Sequence, residues 1–386
     1  MRIGIVGGAL QGMEAVLLSG KAGIETLVID RKGDAPAGSL SDSFMMADAV
    51  SDRDAVKRAL SDCDFVIPAC EEIDALTSLN GMTKEIEVPF LFDMDSYTIS
   101  CSKEKSNEIM ASAGVPLPKP WPECGFPAIV KPSSQSGSIG VCAVNSYDEM
   151  ECALKVVERL NDTPIVQEFV SGKSVSVEVI GNGDVATPYV TTEVVLDVNY
   201  DCKRVICEPR IMNDEDDSEF ARIGRDVAEV IRLRALMDVE AILTDKGLRV
   251  LEIDARIPSQ TPAAVEAATG INLLQELAFS SIGRSTGAVN SGGCSVYEHY
   301  VIENGVMRAC GEKEFGHVRS PRIEEGFLGS DLAITDHSWG KDEWRVTVIS
   351  SGRTPAEVLE KRKAFIRRVM SECDVTEYID ESPRFV

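Results

Sequence analysis

The stretch Met237–Pro262, MDVEAILTDKGLRVLEIDARIPSQTP, decides how this chain folds. Two apolar runs flank an Asp-Lys-Gly turn, which predicts a β-hairpin. Glu240 lies in the first run, and Glu252 and Asp254 lie two apart in the second, so those two share one strand face. Three carboxylates converging inside an apolar hairpin repel one another, and a divalent cation resolves that conflict. Mg²⁺ is favoured, because it combines one or two carboxylates with the phosphates of a nucleotide.

The alternative for this hairpin is a surface element whose acids are solvated. The strand sequences MDVEAIL and LRVLEID are too apolar for a solvated edge, and buried acids need partners. Arg256 and Ser259-Gln260 follow directly, and we interpret them as donors for an anion. The sequence therefore favours a metal and anion site at this hairpin.

Composition limits the function classes. The chain has 386 residues, long enough for two or three domains. Its net charge of −24, from 63 acidic and 39 basic residues, argues against general affinity for nucleic acid or an anionic membrane. The 11 cysteines form no C-x-x-C pair, so we expect reduced thiols in a cytoplasmic protein. The N-terminus predicts a strand and turn rather than a signal peptide, and no apolar run of about 18 residues predicts a membrane span.

The N-terminal region has the pattern of a Rossmann-like β-α-β unit. A buried strand over residues 3–6 leads into Gly7-Gly8, a helix follows, and the next strand ends at Asp30. The acid after the glycines makes Asp30 a candidate nucleotide contact, although Ala9 stands where a dinucleotide fingerprint needs glycine. Glu71 follows a later strand, at the sheet edge where ligands bind, so we expect Leu10-Gln11 and Glu71 to face one crevice. The alternative for Glu71 is a helix N-terminus.

The middle region combines a lysine with a flexible loop. Lys103 begins a predicted helix, and a proline-rich linker over residues 115–122 marks a boundary. A strand ending at Lys131 precedes Ser133–Gly140, whose small residues let backbone N–H groups approach phosphates. A plain turn between two strands is the alternative for this loop. Alternation over residues 174–181 places Ser176 and Glu178 on one strand face, for which the alternative is a solvated sheet surface.

The order of these parts resembles the ATP-grasp enzymes. The resemblance rests on the N-terminal β-α-β unit, the Lys103 helix, Lys131 with its loop, the Gln167–Val170 connector and the E…E-x-D hairpin. It implies an α/β ATP-grasp fold with a Rossmann-like domain over residues 1–95, a lid subdomain over 96–170 and a C-terminal α+β metal and substrate domain over 171–386. The family usually has Asn where Asp254 stands, so the metal site here is more anionic.

A closer resemblance is to the ligases of pyrrolysine biosynthesis, which join 3-methyl-D-ornithine to the ε-amine of L-lysine through an acyl phosphate. The motifs that carry it include Gly7–Gly12, Val179–Gly183, Tyr200–Cys202, Met237–Ile242, Glu252–Arg256, Pro258–Pro262, Gly270–Asn272, Tyr297–His299 and Trp339–Asp342. The resemblance implies ATP and two Mg²⁺ ions as cofactors and two diamino acids as substrates. A homodimer is compatible with it.

The resemblance and the residue patterns together give each candidate a role. The catalytic candidates are Arg256, for the oxyanion, and Lys131. Candidate metal ligands are Glu240, Glu252 and Asp254. Candidate ATP contacts are Lys103, Lys131, Ser133, Ser136, Gly137, Gln167, Glu168, Val170 and Asp30. Candidate substrate contacts are Leu10, Gln11, Glu71, Ser176, Glu178, Asp201, Asp238, Arg256, Ser259 and Gln260.

Three alternatives compete with this function. One is another ATP-grasp carboxylate–amine ligase, of amino-acid or purine metabolism, although the acids Asp238 and Glu71 favour a cationic substrate. Another is an NAD-dependent Rossmann oxidoreductase, which leaves the carboxylate hairpin unexplained. The last is a regulator that binds ATP without turnover.

Overall fold

The short apolar runs near the N-terminus form a parallel sheet in the computed structural model of the chain, which describes residues 1–383. Its strand order is β3-β2-β1-β4. Because all four strands are parallel, the residues after β1, β2 and β4 meet at one edge of the sheet. The elements are β1 Arg2–Val6, α1 Leu10–Lys21, β2 Glu25–Asp30, β3 Ser43–Met46, α2 Arg53–Leu60, β4 Phe65–Pro68, α3 Ile73–Ile86 and α4 Met94–Ser100, with a 3₁₀ turn at Pro36–Ser39.

A small antiparallel sheet of order β6-β5-β7 follows. Helix α5 begins at Lys103 because the Ser102 side chain accepts a hydrogen bond from the Lys105 amide and caps the first turn. The apolar face of α6 packs on this sheet through Ala153 and Val157. The elements are α5 Lys103–Ser112, β5 Ala128–Pro132, β6 Cys142–Val144, α6 Tyr147–Arg159 and β7 Pro164–Glu168.

The remaining strands form a large sheet whose main path is β13-β12-β8-β10-β11-β14-β18-β17-β16. Strand β9 pairs with β8, and β15 joins β14 to β19. The elements are β8 Lys173–Gly181, β9 Ala186–Pro188, β10 Thr192–Leu196, β11 Cys202–Cys207, α7 Asp214–Val230, β12 Leu236–Thr244, β13 Gly247–Asp254, α8 Thr261–Thr269, α9 Leu273–Ser281, β14 Cys294–Glu303, β15 Val306–Ala309, α10 Glu312–Phe315, β16 Arg322–Glu325, a 3₁₀ turn Phe327–Gly329, β17 Leu332–Thr335, β18 Glu343–Gly352, α11 Pro355–Glu372 and β19 Glu377–Ile379.

Helix α1 joins the N-terminal sheet to the large sheet. It packs against α8 and α9, and its buried face shares one apolar core with β14. At this interface the buried Glu14 carboxyl accepts a hydrogen bond from the Tyr297 hydroxyl. Burial raises the pKa of Glu14 to about 7, so the group favours its neutral form more than an exposed acid does. This packing places the edge of the first sheet beside the hairpin.

The architecture confirms the predicted α/β class. Strands β12 and β13 form the predicted hairpin, and α5 begins at the predicted lysine. Each of the three sheets lies within one of the predicted segments 1–95, 96–170 and 171–386, whose boundaries stay predictions. No helix within residues 1–383 is long and apolar enough to cross a membrane.

Candidate active site

A row of acids crosses three neighbouring strands at the centre of the site. Glu240 on β12 pairs with Glu252 on β13, and Asp238 pairs with Asp254. On the other side of β12, Asp238 pairs with Glu178 of β8. Residues two apart on a strand share a face, so this register brings the acids together as the sequence predicts. Four of them, excluding Glu178, line a cavity of about 550 Å³.

Three cations offset part of this negative charge. Lys103 Nζ lies 2.9 Å from Glu252 Oε2, and Arg256 Nη2 lies 3.1 Å from Asp254 Oδ2. Lys131 is buried and donates a hydrogen bond to the Leu251 carbonyl at 3.2 Å. Burial lowers the pKa of Lys131, which makes its charge costly unless an anion lies close.

The carboxylates differ in their ionisation. Burial and the neighbouring Glu252 raise the pKa of Glu240 to about 8, and burial likewise raises the pKa of Asp254 to about 6. Burial opposes the ionisation of Glu252 as well, but Lys103 and Lys131 outweigh it and hold the pKa of Glu252 below its usual value. The row therefore holds more acid than its cations neutralise.

The donor set of this row fits magnesium. No three or more His, Cys, Asp or Glu side chains within residues 1–383 are gathered as a ready-made metal site. Two of the three predicted ligands are engaged in ion pairs, Glu252 with Lys103 and Asp254 with Arg256. Carboxylate oxygens are the ligands that Mg²⁺ prefers, and it commonly uses only one or two of them beside a nucleotide.

Part of the cavity combines polar and apolar groups and so suits a nucleotide base. Gln167, Glu168 and Val170 line it together with apolar groups such as Ile129 and Leu196. Gln167 is buried, and Glu168 Oε2 accepts a hydrogen bond from the Lys119 amide at 3.1 Å. The structure thus brings these three candidate ATP contacts together with Lys103, Lys131 and Gly137 around one cavity.

Three other candidate ATP contacts lie elsewhere. Asp30 Oδ2 accepts a hydrogen bond from the Gly8 amide at 2.7 Å, so this acid fixes the turn after β1. Ser133 Oγ accepts from the Glu104 amide at 3.2 Å near the start of α5. Ser136 Oγ donates to Glu71 Oε2 at 2.9 Å. These three side chains therefore pair with other groups of the chain, and none of them lines the first cavity.

The Ser133–Gly140 loop closes over the cavity at several points. Besides the Ser136 contact with Glu71, Ser138 Oγ donates to the Tyr200 carbonyl at 2.6 Å. Lys103 Nζ also donates to the Gln135 carbonyl at 2.8 Å. Gly137 has a φ of +58°, in the left-handed region that glycine adopts without strain. These few polar contacts can be made and broken without disturbing an apolar core.

We expect nucleotide binding to protect this loop. Hydrogen-exchange mass spectrometry should show slower exchange across residues 134–140 when a non-hydrolysable ATP analogue is present, because phosphates add hydrogen bonds to the loop amides. Peptides from helix α11 serve as an internal control. That helix packs on β18 and β14 and is distant in sequence from the loop. Equal exchange of the loop in both states would argue against a lid.

A second cavity of about 450 Å³ opens at the edge of the first sheet. Leu10, Gln11 and Glu71 line it, so the structure brings these three predicted substrate contacts together. Gln11 Nε2 donates to Glu71 Oε1 at 3.1 Å, and Arg256 Nε lies 3.0 Å from the same oxygen. Glu71 is therefore an oriented acid rather than a solvated helix terminus.

The other predicted substrate acids differ in their access to the first cavity. Asp238 lines it, and its Oδ1 has no hydrogen-bond partner among residues 1–383. Asp201 also lines it, but its Oδ2 accepts from the Lys313 amide at 3.0 Å, and burial raises its pKa to about 6. Ser176 and Glu178 are buried and do not line the cavity, and burial raises the pKa of Glu178 to about 7. Their strand face is therefore not the solvated surface that the alternative required.

Sequence reasoning missed Glu312, which lines both cavities. Ser259 Oγ donates to Glu312 Oε2 at 2.6 Å, and Gln260 Nε2 donates to the same oxygen at 3.3 Å. The two expected anion donors therefore bind a carboxylate of the chain itself. No local motif signals this pairing, because the partners lie 53 and 52 positions apart in sequence.

The segment after β19 was also missed as part of the cavity wall. Ser382 and Pro383 line the first cavity. The buried Lys203 holds this segment, with its Nζ 2.7 Å from Asp380 Oδ1 and donating to the Glu381 carbonyl at 2.6 Å. A lysine inside an alternating strand gives no signal of such a distant partner.

Comparisons with known proteins agree with this geometry. A family model described as an ATP-grasp domain matches residues 101–260. The chain is 36% identical over 349 residues to the 3-methyl-D-ornithine–L-lysine ligase of Methanosarcina barkeri, covering 88% of this chain and 92% of the relative. The ligase of the same name from Methanosarcina acetivorans is 34% identical over 371 residues, covering 93% of this chain and 97% of the relative.

The fold is shared with solved structures of lower identity. An N5-carboxyaminoimidazole ribonucleotide synthetase in its ADP complex matches with a TM-score of 0.71 and 17% identity, covering 95% of this chain and 96% of that chain. The three sheets and the carboxylate hairpin, taken with these matches, define an ATP-grasp enzyme, an ATP-dependent ligase that forms a carbon–nitrogen bond. Within that class the chain belongs to the family of the 3-methyl-D-ornithine–L-lysine ligases. This membership excludes the NAD-dependent oxidoreductase alternative.

Proposed function

We propose that this chain joins 3-methyl-D-ornithine to the ε-amine of L-lysine with consumption of ATP, as a step of pyrrolysine biosynthesis. The observation that carries the substrate class is the pair of acids in adjacent cavities. Asp238 lines the first cavity beside the carboxylate row, and Glu71 lines the second. An acid in each cavity suits a substrate with an ammonium group, because a charge-assisted hydrogen bond stabilises both partners.

The first half-reaction is carboxylate activation. A carboxylate oxygen of the ornithine-type substrate attacks the γ-phosphorus of ATP, ADP leaves, and an acyl phosphate forms. Lys103 and Lys131 neutralise the phosphate oxygens. Glu240, Glu252 and Asp254 would hold two Mg²⁺ ions, which would supply charge neutralisation at those oxygens. The contacts of Lys103 with Glu252 and of Arg256 with Asp254 support this assignment, since they show that these carboxylates pair with positive charge.

The second half-reaction is amide formation. The lysine amine attacks the acyl carbon, and phosphate leaves from the tetrahedral adduct. Arg256 stabilises the oxyanion of that adduct, because it extends from the end of β13 and lines both cavities. The Ser133–Gly140 loop keeps water from the acyl phosphate.

A coupled ADP-release assay tests this function. With ATP and Mg²⁺, we expect ADP release to require both a D-ornithine-type substrate and L-lysine, and mass spectrometry should detect the amide product. Neutral D-amino acids of similar size are the matched control, since they lack the side-chain ammonium that the acids would bind. Faster turnover of a neutral D-amino acid, or of a purine precursor, would contradict the proposed substrates.

We also propose that the ligase acts in the cytoplasm. The reduced cysteines expected from the sequence support this, and all eleven are free thiols in the structure.

A further inference from the structure

The two cavities meet at a shared wall. Gly137, Arg256, Ser259 and Glu312 line both of them. Under the proposed function, one cavity holds the activated carboxyl group and the other holds the attacking amine. The shared wall is therefore where the new carbon–nitrogen bond would form.

Glu312 is the shared residue suited to receive a proton. Arg256 is a cation, Gly137 offers only backbone, and the Ser259 hydroxyl already donates to Glu312. The hydrogen bonds from Ser259 and Gln260 both end on Glu312 Oε2. They fix the carboxylate and leave Oε1 for another donor.

Glu312 Oε1 lies under the Ser133–Gly140 loop. A Cβ atom built on Gly137 would stand 3.6 Å from Glu312 Oε1 and 3.2 Å from the Lys313 side chain. Closure of the loop therefore brings its glycine directly over this carboxylate oxygen. Glu312 is partly buried there, and a local dielectric below that of water strengthens a hydrogen bond between a carboxylate and an ammonium group.

We propose that Glu312 binds the attacking ammonium of the second substrate and accepts one of its protons as the amide forms. The inference rests on the proposed function and adds to it the group that prepares the nucleophile. One proton passes from the ammonium nitrogen to Glu312, and the freed lone pair forms the C–N bond with the acyl carbon. The C–O bond to phosphate then breaks, and the departing phosphate takes that electron pair together with the second nitrogen proton.

The nucleophile can be varied to isolate this step. Hydroxylamine is largely uncharged at neutral pH, so it can trap the acyl phosphate as a hydroxamate without first losing a proton. In Glu312→Gln, amide formation with L-lysine should fall about 100-fold, a typical contribution of a general base. Hydroxamate formation from D-ornithine and ATP in the same variant should stay close to the wild-type rate, and it also shows that the variant is folded.

A pH series and a matched variant complete the test. The amide deficit of Glu312→Gln should shrink as pH rises toward 10, because more lysine then arrives as free amine. The charged and titratable groups around Glu312 are Arg256, Asp201, Lys313, Glu14 and Cys202. These groups are the same in the wild type and in Glu312→Gln. The ratio of their rates at each pH therefore reports the change at position 312. The control is Glu314→Gln, on the same short helix α10 as Glu312. It removes an acid that pairs with Arg308, and it should keep wild-type rates.

The outcomes separate this inference from the proposed function. Equal loss of hydroxamate and amide in Glu312→Gln would place the residue in activation or folding and would overturn its role at the nucleophile. A deficit that stays constant with pH would overturn the proton transfer. If the wild-type enzyme forms no hydroxamate from D-ornithine, the proposed substrates are wrong, and the role of Glu312 falls with them.

Discussion

Glu252→Gln should abolish ATP turnover while the fold stays intact. Glu252 faces Glu240 across the hairpin, and it is the acid in this row that Lys103 and Lys131 keep ionised. Glutamine has nearly the same shape but carries no charge. It would remove a proposed metal ligand and release Lys103 from its 2.9 Å contact. We expect a loss of at least about 10³-fold in kcat, the scale of groups that neutralise charge in phosphoryl transfer.

The measurement is ADP release at saturating ATP and Mg²⁺, with circular dichroism and thermal melting to verify the fold. The matched control is Glu151→Gln, which makes the same chemical change on α6 and removes only an exposed contact with Lys155. That control should turn over normally, because surface ion pairs contribute little to stability. Wild-type turnover in Glu252→Gln would remove this residue from the metal site.

The parts of this site that follow local patterns were predictable from the sequence. The hairpin and its i, i+2 acids depend on strand alternation, and the structure pairs Glu240 with Glu252 as expected. The strand-end rule for parallel sheets likewise placed Glu71 and Gln11 at one crevice, where they share a hydrogen bond. These rules act within one element or between neighbouring strands, so a single sequence contains them.

The parts that depend on distant packing were not predictable. Ser259 and Gln260 were expected to hold a substrate anion, but the Glu312 carboxylate reaches them from the start of α10. The role of His299 was also open from sequence. It is buried, stacked on Phe315 and within 2.7 Å of the Thr347 hydroxyl. Burial lowers the pKa of His299 to about 3, so it stays neutral and belongs to the core.

Asp238 has the structural setting of a substrate-recognising acid. It lies two residues before Glu240 on β12, so both side chains project from the same strand face. It is buried, it lines the first cavity, and its Oδ1 has no hydrogen-bond partner among residues 1–383. A buried carboxylate in this state is costly. The ammonium of an ornithine-type substrate would satisfy it and gain a charge-assisted hydrogen bond in return.

Asp238→Asn should therefore impair the use of ornithine-type substrates and leave ATP affinity nearly unchanged. We expect a penalty of about 2–4 kcal/mol in kcat/KM, the range for leaving one partner of a buried charge pair unmatched. Steady-state kinetics with D-ornithine and with a neutral D-amino acid, together with ATP binding by calorimetry, separate the two effects. If the variant lost ATP binding and kept its preference for ornithine, Asp238 would belong to the metal site, and the acid that reads the substrate amine would have to be sought elsewhere in the row.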